Sequence, residues 1–265
     1  MDEIRKAVRE TYGKIGATGG AETGCCTTSE TSCCAPEPVS ASAQGVSKKL
    51  GYSEEEVTSV PEGANLGLGC GNPQAIANLK PGETVLDLGS GGGFDCFLAS
   101  KQVGEDGRVI GVDMTAEMIT RARENAAKVG ATNVEFRLGE IEHLPVADGE
   151  VDAILSNCVI NLSPDKLAVH REAFRALRAG GRLAILDVVS TAPLPDEVRN
   201  NLELHTRCIA GAATIPEVEA MLAEAGFSQI HVNPIGKSSD IIREWMPGSR
   251  IEDYIVSATI EAVKP

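Results

Sequence analysis

Apolar positions along the chain change period twice, and the changes divide it. Residues 1–14 put Ile4, Val8 and Tyr12 at i, i+4 and i+8, the spacing of one helix face. From 16 to 46 no period survives, and Gly, Ser, Thr, Ala and Pro dominate, which predicts a loop or tail. A second irregular stretch, 61–73, carries four glycines. From Lys80 onward short apolar runs alternate with helical periods. Strands are predicted at 84–88, 109–112, 134–138, 151–156 and 182–189, with helices at 94–103, 116–129 and 166–178 between them. That order predicts an α/β fold, a doubly wound and mainly parallel sheet with helices on both faces. After Pro195 come helical periods at 196–208 and 216–225, then strands at 229–234 and 253–262. The late helices predict a lid on the substrate side. The expected organisation is a lead-in over 1–79, a core over 80–190 and a helical and strand cap over 191–265.

Candidate chemistry concentrates where predicted strands end. The first strand runs into Asp87-Leu88-Gly89-Ser90-Gly91-Gly92-Gly93-Phe94. Glycines between a strand and a helix let the backbone approach a ligand closely. A dinucleotide fingerprint would require glycine at position 94, where Phe94 stands. The second strand ends in Asp113, a carboxylate able to accept hydrogen bonds from both ribose hydroxyls of an adenosine, or to cap the helix opening at Thr115. Met114 follows it. Glu140 and Ile141 follow the third strand, and Asn157 follows the fourth. In open α/β sheets ligands bind at these carboxyl ends. Glu140 and Asn157 also read as plain loop residues.

Charge and composition narrow the partners. The 265 residues carry 24 Lys+Arg against 38 Asp+Glu, a net charge of −14. This argues against a nucleic-acid partner, which needs clustered cations. No run approaches the ~20 apolar residues of a membrane span. The charged start, Met1-Asp2-Glu3-Ile4-Arg5-Lys6, lacks a signal's apolar core, so a cytoplasmic location is expected. Eight cysteines are many for a reducing compartment, and there they point to metal, metalloid or redox chemistry.

Cys96, inside the first core helix, reads as a small buried hydrophobe. Cys70, Cys158 and Cys208 lie on or beside predicted loops over one sheet edge. Three converging thiolates would make a pyramidal cage for a soft centre, with trivalent arsenic the leading candidate. Cys25, Cys26, Cys33 and Cys34 sit in the aperiodic N-terminal segment as two adjacent pairs; they read as a thiol relay, as incidental residues or as a zinc knuckle of unusual spacing. His205 stands three residues before Cys208; His143, His170 and His231 have no suggestive neighbours. Trp245 and Met246 read as packing residues.

The glycine turn, Asp87, Asp113, Met114, Glu140, Ile141 and Asn157 together resemble the motifs of class I S-adenosylmethionine-dependent methyltransferases. Val8-Arg9-Glu10-Thr11-Tyr12-Gly13, Leu68-Gly69-Cys70-Gly71-Asn72-Pro73, Ser156-Asn157-Cys158-Val159-Ile160-Asn161-Leu162 and Arg207-Cys208-Ile209-Ala210-Gly211-Ala212 resemble the arsenite methyltransferases. The resemblance implies a Rossmann-like class I sheet and S-adenosylmethionine as methyl donor, bound at Asp87, Gly89, Gly91, Gly93, Asp113, Met114, Glu140, Ile141 and Asn157. It implies arsenite or its thiol conjugates as acceptor, with Cys158 and Cys208 as the arsenic pair and Cys70 as a third, redox-active thiol. A thiol reductant, glutathione or thioredoxin, would complete the cycle, and no resident metal ion is expected. The readings that compete are a quinone-type C-methyltransferase and a non-catalytic thiol-based metalloid or zinc binder.

Overall fold

A computed structural model of the chain describes residues 2–19, 42–236, 238, 242–243 and 250–265. Cys25, Cys26, Cys33, Cys34, Trp245 and Met246 lie outside the described residues.

Seven strands form one sheet: β1 (Thr84–Leu88), β2 (Arg108–Asp113), β3 (Val134–Leu138), β4 (Val151–Asn157), β5 (Leu177–Ser190), β6 (Ser228–Pro234) and β7 (Ile255–Val263). Their spatial order is β3-β2-β1-β4-β5-β7-β6. β7 runs antiparallel to both neighbours and the remaining pairs are parallel. The order reverses at β1, with β2 on one side and β4 on the other, so a crevice opens beyond the carboxyl ends of β1, β2 and β4.

Ten helices accompany the sheet among the described residues. In chain order they are α1 (Asp2–Thr18), α2 (Ala43–Lys49), α3 (Glu54–Thr58), α4 (Gln74–Ala77), α5 (Phe94–Val103), α6 (Ala116–Val129), α7 (Lys166–Ala176), α8 (Asp196–Arg199), α9 (Leu202–Thr206) and α10 (Ile215–Ala225). Alternation along the strands sorts side chains between two layers. Val85, Val109, Ala153 and Ala184 pack under α5 and α6, against Phe97, Val103 and Ile119. Leu86, Ile110, Ile154 and Ile185 pack under α7 and α10, against Val169, Ala173, Val218 and Leu222. A one-residue slip of β1 would swing Asp87 into this second, apolar layer, so the register that buries Leu86 and Leu88 also aims Asp87 at the crevice.

Three expectations are corrected. The stretch read as loop to 46 is already helical at Ala43, because Ser42 caps α2 by accepting from Gly45 N and Val46 packs against a cluster holding Leu50 and Tyr52. The single helix expected over 196–208 breaks at Asn200 and Asn201; the Asn201 side chain accepts from Leu204 N and starts α9 afresh. The late helices do not all form a lid, since α10 belongs to the sheet layers and, of the three, α9 alone lines the crevice.

Candidate active site

The donor end of the crevice is built by the glycine turn. Gly89 N and Ser90 N donate to Val112 O at 2.7 and 3.0 Å, clamping the turn to β2. Gly91 has φ +51°, and a Cβ there would project into open space inside a cavity of about 620 Å³. The cradle is therefore shaped for a ligand rather than filled by side chains. Asp87, Gly89, Gly91, Asp113, Met114 and Ile141 line it. Asp113 accepts from Gly91 N (3.0 Å) and Thr115 N (2.8 Å), so it braces the turn. A carboxylate accepts about four hydrogen bonds, which leaves capacity for two ligand hydroxyls. Burial pushes its carboxyl up, and the two backbone N–H groups oppose that. Asp87 is buried too; the Cys96 thiol donates to it at 3.2 Å. Cys96 is thus fully buried, as expected, and also hydrogen-bonded.

Gly93 and Glu140 stand apart from the cavity. Gly93 is the N-cap of α5, and a Cβ there would lie 2.8 Å from the Phe97 and Phe136 rings. Glu140 faces outward to α1, paired with Arg9 at 3.1 Å and Arg5 at 3.6 Å. The acid that does line the cavity there is Glu142, which accepts from Ser163 Oγ at 2.7 Å and from Arg5 at 3.2 Å.

At the other end the three cysteines converge. Cys158 follows β4 with φ +59° and Cys208 follows α9 with φ +62°. Both are left-handed non-glycine residues, a strained conformation that surrounding structure must enforce. Cys158 N donates to Leu186 O at 2.8 Å, and Cys208 Sγ donates to Cys158 O at 2.9 Å. Cys70 is brought in by Asn157, whose Oδ1 accepts from Cys70 N (3.0 Å) and whose Nδ2 donates to Gly71 O (2.8 Å) and Tyr52 Oη (3.0 Å). Approach this close requires glycine before Cys70, since a Cβ on Gly69 would lie 2.8 Å from Asn157 Oδ1. The amide of Asn157 is thus committed to the thiol loop although it also lines the cavity.

The three thiols bear on one another electrostatically. Contacts with the Cys208 and Cys70 sulfurs hold Cys158 well below the ordinary thiol range. Burial, then the contact with Cys158, pushes Cys70 up, while Cys208 rises first through its contact with Cys158 and then through burial. Asp187, buried in β5, brings a carboxylate oxygen within 4.8 Å of the Cys70 and Cys158 sulfurs. Burial and then the Cys158 charge push its carboxyl up to about 8.

Helix α1 roofs both ends. Val8, 1% exposed, packs against Leu162 and Cys208, and Tyr12 Oη donates to Thr206 O at 3.3 Å. Arg121 donates to Gly16 O at 2.7 Å and fastens the far end of α1 to α6.

A family model described as a methyltransferase domain matches residues 79–226. An arsenite methyltransferase of Halobacterium salinarum is 53% identical over all of this chain and 67% of its own length. The chain belongs to the arsenite methyltransferase family. A second arsenite methyltransferase, from Aquipseudomonas alcaligenes, is 41% identical over 69% of this chain and 55% of itself. The crystal structure of an arsenic (III) S-adenosylmethionine methyltransferase from Chlamydomonas reinhardtii is 32% identical, with a TM-score of 0.62 over 87% of this chain and 75% of that one. The chain thus spans between about half and two thirds of the two curated relatives. For a member of this family the seven-stranded sheet is that of a class I S-adenosylmethionine-dependent methyltransferase.

Sequence reasoning missed Tyr12, Glu142 and Asp187 as site residues. The signal for Asp187 was present: an acid inside the apolar run Leu183-Ala184-Ile185-Leu186-Asp187-Val188-Val189 is costly unless something uses it. Tyr12 reads as one position of a helix face and as part of a segment that resembles the arsenite methyltransferases, and neither reading gives it a place at the site. His205 is buried and its Nε2 lies 3.2 Å from Leu162 O, bracing the turn beneath the thiols.

Proposed function

We propose that this chain transfers methyl groups from S-adenosylmethionine to trivalent arsenic held by Cys70, Cys158 and Cys208, giving methylated arsenicals. The observation that carries the reading is that Cys158 and Cys208, both on left-handed backbone, line one end of a cavity whose other end is a glycine cradle, and that the Cys158 sulfur contacts those of Cys208 and Cys70.

When bound, S-adenosylmethionine supplies an electrophilic methyl group. The chain's own residues do the rest. The Gly89 and Gly91 backbone and Asp113 hold the donor's nucleoside, and Met114 and Ile141 supply the apolar walls. Asp87 and Glu142 offer acceptors to its polar end. The three cysteines take up arsenite, and their thiol protons leave with displaced hydroxide or thiol ligands. Arsenic bound by three sulfurs keeps its lone pair, so no base is needed to expose the nucleophile. The roof made by Val8 and Tyr12 excludes water, and catalysis comes from holding two reactants in line. After transfer arsenic is formally pentavalent; joining Cys70 to a second thiol in a disulfide would return the two electrons that make it trivalent again, and thiol exchange with glutathione or thioredoxin would reduce that disulfide.

The test uses methyl-labelled donor, arsenite and a thiol reductant, with product arsenicals separated by chromatography. Labelled mono- or dimethylarsenicals are expected. Label appearing on a quinone precursor and on no arsenical would overturn the reading.

A further inference from the structure

Three donors in this site form a set that arsenic does not fully use. The Cys70 and Cys158 sulfurs and a carboxylate oxygen of Asp187 all lie within 4.8 Å of one another. The Cys208 sulfur contacts that of Cys158 but falls outside this set, and its thiol donates to the Cys158 carbonyl at 2.9 Å. Trivalent arsenic is thiophilic, and its lone pair occupies one side of the atom, so three sulfurs satisfy it and a carboxylate adds little. A d¹⁰ divalent cation such as Zn²⁺ or Cd²⁺ has different needs. It takes four donors in a tetrahedron and accepts thiolate, carboxylate and water together.

The carboxylate is built into the fold. Asp187 Oδ1 accepts from Val188 N (2.7 Å) and Asn161 Nδ2 (2.9 Å), while Oδ2 accepts from Ile160 N (2.9 Å) and, over a longer 3.3 Å, from Asn161 N. Those bonds fix the group in place and take up its roughly four acceptor sites, so a cation on Oδ2 would displace the weakest of them, the 3.3 Å contact from Asn161 N.

We propose that Cys70, Cys158 and Asp187 form a binding site for a thiophilic divalent cation of the Zn²⁺ or Cd²⁺ type, with water as fourth ligand. Such a cation shares two sulfurs with arsenic and so competes with it. Arsenic draws on Cys208 and not Asp187; the cation draws on Asp187 and not Cys208. The competition rests on the arsenic reading above, and the cation site itself does not.

The experiment titrates Cd²⁺ and arsenite separately into the full chain with Cys25, Cys26, Cys33 and Cys34 changed to serine. Cd²⁺ is followed by sulfur-to-metal charge-transfer absorption and arsenite by bound arsenic after gel filtration. One Cd²⁺ per chain, displaced by arsenite, is expected. Asp187→Asn weakens Cd²⁺ on the order of 100-fold, since losing even an outer-shell partner costs 10–100-fold, and leaves arsenite unchanged. Cys208→Ser does the reverse. Absence of Cd²⁺ binding, unchanged Cd²⁺ affinity in Asp187→Asn, or a parallel loss of both ligands in that variant overturns the proposal. Should Asp187→Asn not fold, Cys208→Ser decides: equal loss of Cd²⁺ and arsenite overturns it, and retained Cd²⁺ affinity supports it. Cd²⁺ bound without any arsenite would count against the proposed function and leave the cation site standing.

Discussion

Replacing Asn157 by alanine cuts the link between the end of β4 and the Cys70 loop. In the native chain Asn157 Oδ1 takes the Cys70 N–H at 3.0 Å, and Nδ2 serves Gly71 O at 2.8 Å and the Tyr52 hydroxyl at 3.0 Å. Tyr52 keeps its own bond to Asp95 at 2.9 Å, so the variant orphans two backbone groups, Cys70 N–H and Gly71 C=O. A buried polar group left without a partner costs about 1–3 kcal/mol; because this position borders the cavity, water relieves part of it, and a loss of about 2–3 kcal/mol is expected. Urea unfolding measures that loss directly. The functional consequence is more specific. A loosened Cys70 loop removes one sulfur from the arsenic cage, so arsenite affinity falls by on the order of tenfold while S-adenosylmethionine affinity, read by calorimetry, holds within about twofold. Alkylation of Cys70 should quicken as well. The opposite pattern, donor affinity lost and arsenite affinity retained, would make Asn157 a donor ligand and refute the reasoning from its hydrogen bonds.

Gly91→Val places a branched side chain in the cradle at φ +51°; left-handed backbone costs roughly 1–2 kcal/mol there, so melting shows a modest loss while donor binding disappears. Tyr12→Phe removes the bond to Thr206 O and with it about 1 kcal/mol of support for the Cys208 loop, which should weaken arsenite about fivefold in a titration. His170 is 2% exposed, its Nδ1 has no partner, and burial followed by nearby Lys166 lowers it from 6.5 to about 4. The unfolded chain therefore takes up this proton first as pH falls through about 6.5, and up to about 2 kcal/mol of stability is lost between pH 7 and pH 5. Urea midpoints for the native chain and His170→Gln check it: the variant's pH slope should be shallower by that amount, and equal slopes refute the assignment.

Much of the core was legible because β1, β2 and β4 are buried on both faces and read as short apolar runs, while β3, at the sheet edge, alternates apolar and charged residues. β1 and β3 begin and end where the pattern puts them, and β2 differs by one residue at each end. Cys158 beside Asn157 at a strand end likewise forecasts a thiol over the crevice. What α1 covers was not legible, since the period through Ile4, Val8 and Tyr12 announces an apolar face without naming its partner. Glu140 shows the same limit: its position after β3 suits a donor ligand, yet Arg5 and Arg9, 131 or more residues away in sequence, claim it.

The order of strands and helices, the glycine turn and the presence of three thiols on crevice loops are local properties, set by periodicity, by residues that tolerate positive φ and by position at strand ends. The tertiary structure alone decided which polar atoms those residues spend on one another. Asn157 holds Cys70, Asp187 stands beside two sulfurs, and Cys208 is forced into left-handed backbone, because hydrogen-bond and packing partners far apart in sequence compete for each group, and only the folded chain settles which of them wins.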